Sequence, residues 1–252
     1  MKIAIVGVGR LGSVFARVFS KSHEVILIDR EYGRVLEVSA ETGAKPEKDL
    51  AKSVQCEMVL VAVKPEHLED VIRQIKDARL IVSCASGVSI RTIESWGAKS
   101  VIRIMPNICA EANEAVIAYA LHQENEKKVK PFLTAFSYLG MCMRTDESHL
   151  EPLAAVSGSG PAFVAFFAQA MVDEAIAQGL DKEFAAKAVA QTLVGTGKMM
   201  LGGWPTKLII ETVASPGDST EDGLKMLQDK KTSKAVHEAI RLATKRVKEP
   251  GK

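Results

Sequence analysis

The 252-residue chain is poor in aromatic residues, cysteine and histidine, and it carries almost no net charge. Its 33 basic residues nearly balance its 31 acidic residues, which leaves a formal net charge of +2. This balance excludes the strongly cationic surface by which proteins bind nucleic acid or anionic membranes. We therefore expect neither nucleic acid nor a membrane among its partners.

The four cysteines, Cys56, Cys84, Cys109 and Cys142, form no CxxC pair. The five histidines are scattered as well. The spacing of a zinc site is therefore missing, and we expect no bound metal. Four reduced thiols are typical of a cytoplasmic protein, because disulfides persist mainly in oxidising compartments.

Long apolar runs are also lacking. No run reaches the roughly 18 residues that a membrane-spanning helix requires. The apolar N-terminal stretch 3–6 is too short for a signal peptide, and a glycine-rich turn follows it. We therefore expect a cytoplasmic protein.

The first half of the chain alternates short β-branched runs with segments of helical spacing. This rhythm predicts a parallel sheet covered by helices on both faces. The candidate strands are Lys2–Val6, Glu24–Asp29, Met58–Val63, Leu80–Ser83, Val101–Met105, Glu114–Ala120 and Met141–Arg144. The helical segments between them include Leu11–Lys21, Pro65–Ile75 and a helix near Lys127–Tyr138.

The composition changes near Asp146, after which helix-forming residues dominate and strand-like runs stop. The spacing predicts helices at Pro161–Gln178, at Lys182–Leu201 and from about Asp222 to Val247, with Ser219 or Thr220 as the cap of the third. We therefore divide the chain into a dinucleotide-binding domain, 1–147, and a helical domain, 148–252.

The stretch Val156–Met171 is apolar around most of its predicted helix. A helix that is apolar all round must be buried on all sides. In a helical half of this size we expect a second subunit to cover it, so the chain should be a homodimer or a higher homo-oligomer. The alternative is a central helix within the monomer.

A glycine-rich motif directly follows the first predicted strand and opens the first predicted helix. It consists of Gly7, Val8, Gly9, Arg10, Leu11 and Gly12. In this position GxGxxG indicates a Rossmann-type domain. Its glycines allow a tight turn, the approach of a pyrophosphate, and close packing of helix on strand. The alternative is a glycine turn that binds nothing.

The choice between the two nicotinamide cofactors depends on opposing signals. Asp29 ends the second predicted strand, where a carboxylate can hold a ribose 2′-hydroxyl and would repel a 2′-phosphate. Arg30 and Arg34 follow and can hold a 2′-phosphate instead. We expect either NADPH or NADH, with a slight preference for NADH.

Further motifs lie where other strands end, which is where open α/β sheets bind ligands. Lys64 is better explained as a lysine at the cofactor's edge than as a catalytic ammonium. Cys84 is better explained by packing than as a nucleophile, because no base is identifiable beside it. Asn107 can orient a ligand or close a turn. The candidate cofactor residues in these motifs are Ala62, Val63, Lys64, Pro65, Cys84 and Ala85.

Two motifs fall in the helical half. SGSGPAF at 157–163 is either a capping element or one wall of a substrate site. ASPGDST at 214–220 offers hydroxyls and N–H groups at a helix start, which suits a carboxylate. The alternative for the second motif is an ordinary cap with nothing bound.

The motifs VGVGRLG, VAVKP, VSCASGVSI, IRIMPN, SGSGPAF and ASPGDST together resemble the pyrroline-5-carboxylate reductase family. The resemblance runs from Lys2 to about Asp229. It implies NAD(P)H-dependent reduction of the cyclic imine 1-pyrroline-5-carboxylate to L-proline by a Rossmann domain followed by an all-helical dimerisation domain. It also implies an active site between one subunit's nicotinamide and its partner's helical half. By resemblance, the substrate residues are Ser215, Gly217, Ser219 and Thr220, with Asp218 and Val213 beside them, and Thr220 is the candidate donor to the ring nitrogen.

Three departures from the family pattern concern the substrate. Asp218 replaces a glycine of the usual SPGGTT turn, Ile108-Cys109 replaces the usual Thr-Pro, and Ile210-Glu211 replaces a basic residue followed by Asp. A divergent reductase of another cyclic imine and a non-catalytic dinucleotide-binding regulator therefore stay open. A β-hydroxyacid dehydrogenase is disfavoured, because its catalytic lysine has no counterpart between Leu150 and Gln178.

Overall fold

The computed structural model of the chain describes residues 1–122 and 126–248, apart from the side chains of 126–128 and 248. Within these residues an eight-stranded sheet has the order β3-β2-β1-β4-β5-β6-β7-β8. Neighbouring strands run parallel except for β7, which is antiparallel to β6. The strands are β1 Lys2–Val6, β2 Glu24–Ile28, β3 Lys45–Pro46, β4 Met58–Val61, β5 Ile81–Ser83, β6 Val101–Met105, β7 Ala115–Ala120 and β8 Gly140–Arg144.

Helices cover both faces of this sheet, as the sequence predicted. They are α1 Arg10–Phe19, α2 Tyr32–Thr42, α3 Leu68–Ile75, α4 Ile90–Ser95, α5 Glu126–Phe136 and α6 Leu150–Leu153. Because successive strand residues point to opposite faces, Ile3 and Ile5 pack in the core beneath α1 and α5. Ala4 and Val6 pack in the second core, beneath α3 and α4.

Several predicted boundaries shift. The strand predicted to reach Val63 ends at Val61, and Ala62 makes the last bond to β1 through its N–H and the Val6 carbonyl oxygen, at 2.8 Å. The helix predicted from Pro65 starts as a 3-10 turn, Pro65–His67. Helix α2 and strand β3 lie in a stretch for which the sequence indicated no element.

Ion pairs of a buried arginine hold the segment that follows the last strand against the sheet. Arg103 of β6 is buried and pairs with Glu147, at 3.0 Å, and with Glu151 of α6. Glu147 also accepts a hydrogen bond from the Ile90 N–H at 2.7 Å. These bonds fix the segment before α6 to β6 and to the start of α4. A single turn of π-helix, Ala154–Gly158, follows α6.

The remaining α-helices described are α7 Gly160–Ala177, α8 Lys182–Leu201, α9 Thr206–Val213, α10 Ser219–Asp229 and α11 Thr232–Lys248. The single helix predicted from about Asp222 to Val247 is wrong. Lys231 has a left-handed backbone, with φ +56°, and separates α10 from α11. Asp218, rather than Ser219 or Thr220, caps α10.

The chain forms two compact units. One contains the described residues of Met1–Ser159 together with those from Leu242 to Lys248, and the other contains Gly160–Arg241. The predicted division at 147/148 stays a prediction. It lies close to the point where α6 follows the last strand.

The helical stretch Glu147–Ala177 corrects one expectation. By length and composition it is apolar enough to cross a membrane, so the statement that no run reaches that length is wrong. No residue of α7 is buried within the single chain, and Phe166 is 81% exposed. A core helix of a soluble protein or of a subunit interface can have the same composition.

Candidate active site

The three motif glycines have different reasons for lacking a side chain. Gly7 has φ +95°, and an added Cβ would lie 2.8 Å from the carbonyl carbon of Ala62. At Gly12 an added Cβ would overlap the carbonyl oxygen of Gly7. At Gly9 nothing lies within 4 Å of the added atom. The fold therefore requires Gly7 and Gly12, whereas only a bound molecule would require Gly9.

The N-terminus of α1 is bare. Gly9 is its N-cap, so no side chain caps the helix, and no acidic residue lies in the first turn. The first intrahelical bond runs from the Ser13 N–H to the Gly9 carbonyl oxygen, at 2.9 Å. The N–H groups of the first turn, those of Arg10, Leu11 and Gly12, can therefore bind an anion, and the open space at Gly9 fits the approach of a pyrophosphate.

A cleft of about 360 Å³ opens beside this turn, and we call it the main cleft. It brings together residues from the ends of β1, β2 and β4. Of the predicted cofactor residues it is lined by Gly7, Gly9, Asp29, Arg30, Ala62, Val63 and Lys64. It is also lined by Arg34, which the sequence offered with Arg30 for a 2′-phosphate. The lining residues that the sequence did not indicate are Val6, Ile28, Glu31, Lys48, Leu50, His67 and Val71.

Asp29 holds the glycine turn in place. One carboxylate oxygen accepts the Val8 N–H at 2.7 Å, and the other accepts the Glu31 N–H at 2.9 Å. Asp29 therefore links the end of β2 to the start of the motif, in addition to lining the main cleft. If the Asp29 carboxylate also accepted a hydrogen bond from a ribose hydroxyl, it would have a second role.

Cations line the rim of the main cleft. Arg34 pairs with Glu31 at 2.8 Å, and Lys64 lies 3.9 Å from Glu66. The Lys48 ammonium lies 4.4 Å from the centre of the Tyr32 ring. Sequence reasoning missed Lys48, because it follows the short strand β3 and belongs to no motif.

The other predicted cofactor residues lie outside the main cleft. Val8 and Arg10 line a second groove, which shares Gly9 and Arg34 with the main cleft. Leu11 packs against the core, Ala85 is buried, and Pro65 opens the 3-10 turn after β4. Cys84 packs against the same core as Leu11, and burial raises the pKa of its thiol well above the usual range. A raised pKa disfavours the nucleophilic thiolate.

Asn107 joins two motifs that the sequence left separate. It follows β6, and its side-chain Nδ2 donates to the carbonyl oxygen of Ser157 at 3.0 Å. Asn107 is only 7% exposed, and its Oδ1 has no partner among the described residues. The MPN and SGSGP motifs therefore meet at the carboxyl edge of the sheet.

The loop 214–220, which we call the SPG loop, differs from the expected open anion site. Asp218 accepts hydrogen bonds from the N–H groups of Ser215 at 2.8 Å, and of Thr220 and Glu221 at 2.9 Å each. Glu221 accepts one from the Gly217 N–H at 2.6 Å. These backbone bonds lower the pKa of Asp218. The chain's own carboxylates therefore occupy most of the donors that the sequence assigned to a substrate.

The hydroxyls of the SPG loop remain available. Within the described part of the chain, the side chains of Ser215, Ser219 and Thr220 have no hydrogen-bond partner. Val213 is the last residue of α9 and is exposed. These hydroxyls can donate a hydrogen bond to a ring nitrogen, or accept one from the N–H of a protonated ring nitrogen.

Comparison with known proteins shows which family has these features. A pyrroline-5-carboxylate reductase from Aquifex aeolicus is 32% identical over 262 residues, which covers 98% of this chain and 97% of the relative. One from Methanosarcina acetivorans is 32% identical and covers 100% of this chain and 98% of its own length. This chain belongs to the pyrroline-5-carboxylate reductase family.

The family models divide the chain in a similar way. A model described as "Pyrroline-5-carboxylate reductase dimerisation" matches residues 147–250, and one described as "NADP oxidoreductase coenzyme F420-dependent" matches residues 2–87. Solved structures share the fold. A Plasmodium falciparum pyrroline carboxylate reductase with NADP bound has a TM-score of 0.88 at 23% identity and covers 100% of this chain and 98% of that chain. A 1-pyrroline-5-carboxylate reductase from Streptococcus pyogenes has a TM-score of 0.89 at 23% identity and covers 98% of each chain.

Proposed function

We propose that the protein transfers a hydride from NAD(P)H to 1-pyrroline-5-carboxylate and forms L-proline, in proline biosynthesis. The observation that carries this proposal is the 32% identity to reductases of that name over almost the whole of both chains. The bare start of α1 beside the main cleft supports a nicotinamide dinucleotide as the donor.

The residues of this chain have a limited chemical task. Bound NAD(P)H supplies the hydride, and a protonated cyclic imine is already an electrophile. The protein must align the two, exclude water and stabilise the nitrogen as its charge changes. We propose that the N–H groups at the start of α1 bind the pyrophosphate. We propose that Thr220, whose hydroxyl is free to rotate, donates the hydrogen bond to the ring nitrogen.

The cofactor preference depends on groups at the rim of the main cleft. Asp29 supports NADH, because its charge would repel a 2′-phosphate. Arg30, Arg34 and Lys48 support NADPH, because all three line the same cleft and carry positive charge. We infer that the protein accepts both cofactors. The slight preference for NADH stays a prediction, and Lys48 acts against it.

We also propose that the working protein is a homodimer or a higher homo-oligomer in the cytoplasm. The dimerisation model matches 147–250, and the apolar side chains of α7 are exposed in the single chain. A second copy that covered α7 would bury them and would account for a helix of that composition without a membrane. All four cysteines are free thiols, which suits a reducing compartment.

The direct test is oxidation of NADPH and of NADH by the purified protein with 1-pyrroline-5-carboxylate, with proline identified as the product. We expect turnover with both cofactors. Turnover of neither, under conditions in which an established family member is active, would contradict the proposal and favour a dinucleotide-binding regulator.

Thr220 is tested by Thr220→Ala. A hydroxyl that donates to the developing amine matters more in the transition state than in the ground state. We therefore expect kcat to fall by about tenfold or more, and KM to rise by less. Thr212→Ala is the matched control, since it removes an exposed threonine hydroxyl of α9 that donates to the Leu208 carbonyl oxygen at 2.7 Å and has no assigned substrate role. An equal loss in both variants would remove Thr220 from that role.

A further inference from the structure

The N-termini of α1 and α10 differ in whether their N–H groups are free to bind an anion from a ligand. Helix α1 begins at a glycine, with no side-chain cap and no acidic residue in its first turn. Helix α10 begins at Asp218, which caps it, and has Glu221 and Asp222 in its first turn. The first arrangement leaves N–H groups free for a ligand's negative charge, and the second supplies the negative charge from the chain itself.

Nearly all N–H groups of the SPG loop already have a hydrogen-bond partner within the chain. Three of its N–H groups donate to carboxylates: those of Ser215 and Thr220 to Asp218, and that of Gly217 to Glu221. The N–H of Glu221, the next residue, also donates to Asp218. The Asp218 N–H donates to the Ser215 carbonyl oxygen at 3.1 Å, and Pro216 has no N–H. Within the described loop the Ser219 N–H alone is left without a partner.

The negative charge of this loop also disfavours the binding of a carboxylate. Residues 214–224 contain three acidic residues, Asp218, Glu221 and Asp222, and no basic residue. A second carboxylate brought to these positions meets like charge and must displace hydrogen bonds already made. A protonated imine, which is a cation, meets no such penalty. The loop therefore suits the ring nitrogen of a cyclic imine better than a carboxylate beside it.

We propose that Asp218 is a specificity-determining residue that competes with the substrate's carboxylate for the N–H groups of the SPG loop. This proposal rests on the proposed function. Because of this competition, the enzyme discriminates weakly between cyclic imines with and without a carboxylate. The glycine usual at this position in the family would leave the Ser215 and Thr220 N–H groups open.

The test compares kcat/KM for 1-pyrroline-5-carboxylate and for 1-pyrroline, which lacks the carboxylate, in the wild type and in Asp218→Gly. We expect the variant to gain about tenfold on the carboxylated imine alone, which equals about 1.4 kcal/mol. Asp218→Asn keeps a good helix cap but loses the charge, so we expect a smaller gain in the same direction. Equal changes on both imines, or none, would overturn the proposal.

Asp222→Asn is the matched control. It removes the same charge from the same turn of α10, but the Asp222 carboxylate accepts no hydrogen bond from the loop among the described residues. We expect no selective gain. If Asp222→Asn gains as much as Asp218→Asn, general repulsion explains the effect and competition for the N–H groups does not.

A binding measurement separates this proposal from the proposed function. Calorimetry with L-proline and with pyrrolidine compares a ring that has the carboxylate with one that lacks it, and it requires no turnover. Tighter L-proline binding by Asp218→Gly and by Asp218→Asn, with pyrrolidine unchanged, supports the competition even if the protein reduces neither imine. L-proline affinity unchanged in both variants counts against it, whatever the activity assay shows.

Discussion

Asn107 replaces a hydrogen bond that Pro161 cannot make. In a continuous α-helix the Ser157 carbonyl oxygen would accept the N–H four residues later, and that residue is Pro161, which has none. The Asn107 side chain donates to this oxygen instead, at 3.0 Å. The π-turn is therefore held to the end of β6 by a side chain from a different motif.

Loss of this bond should be costly, because Ser157 and Asn107 are both buried. We expect Asn107→Ala to destabilise the protein by about 1–3 kcal/mol, since it removes the side-chain donor of a buried carbonyl oxygen. Chemical denaturation measures this change. Gln74→Ala is the matched control, because the Gln74 amide donates to the Asp70 carbonyl oxygen at 2.9 Å on an exposed surface. There we expect about 0.5 kcal/mol or less. Similar costs at both positions would mean that Asn107 has no special role.

Alanine substitutions at Gly9 and Gly12 distinguish a glycine that the cofactor requires from one that the fold requires. Gly9→Ala meets open space, so we expect little loss of stability and at least a tenfold loss of NAD(P)H affinity, about 1.4 kcal/mol. Gly12→Ala overlaps the Gly7 carbonyl oxygen, so we expect a loss of stability even without cofactor. Thermal unfolding and cofactor titration of each variant measure the two effects. Full NADH and NADPH affinity in a folded Gly9→Ala protein would contradict the assignment of the pyrophosphate.

The assembly is tested at Phe166, the most exposed of the large apolar side chains on α7. If a second copy covers it, Phe166→Glu places a charge in an apolar interface and should shift micromolar protein toward monomer, as measured by light scattering. Leu36→Glu is the control, because Leu36 is exposed on α2, in the other unit. We expect no shift there. A wild-type protein that is a stable, active monomer would rule out the proposed dimer.

Local patterns in the sequence were enough for the outline of the fold. Short β-branched runs that alternate with helical segments indicated a sheet covered on both faces, and the structure packs neighbouring residues of β1, Ile3 and Ala4, into two separate cores. The glycine turn, its following helix and the position of Asp29 were also predictable, because each depends on residues within about 20 positions of chain. The family resemblance was carried by such local motifs as well.

Contacts between distant segments decided the site. Lys48 and His67 reach the main cleft because β3 and β4 lie on either side of the β2–β1 pair, which no local pattern encodes. The resemblance placed Asp218 where the family pattern usually has glycine, but the sequence did not show where the Asp218 carboxylate points. The structure turns that carboxylate onto the N–H groups of Ser215 and Thr220, because the unpaired N–H groups at a helix start attract a carboxylate at the N-cap position.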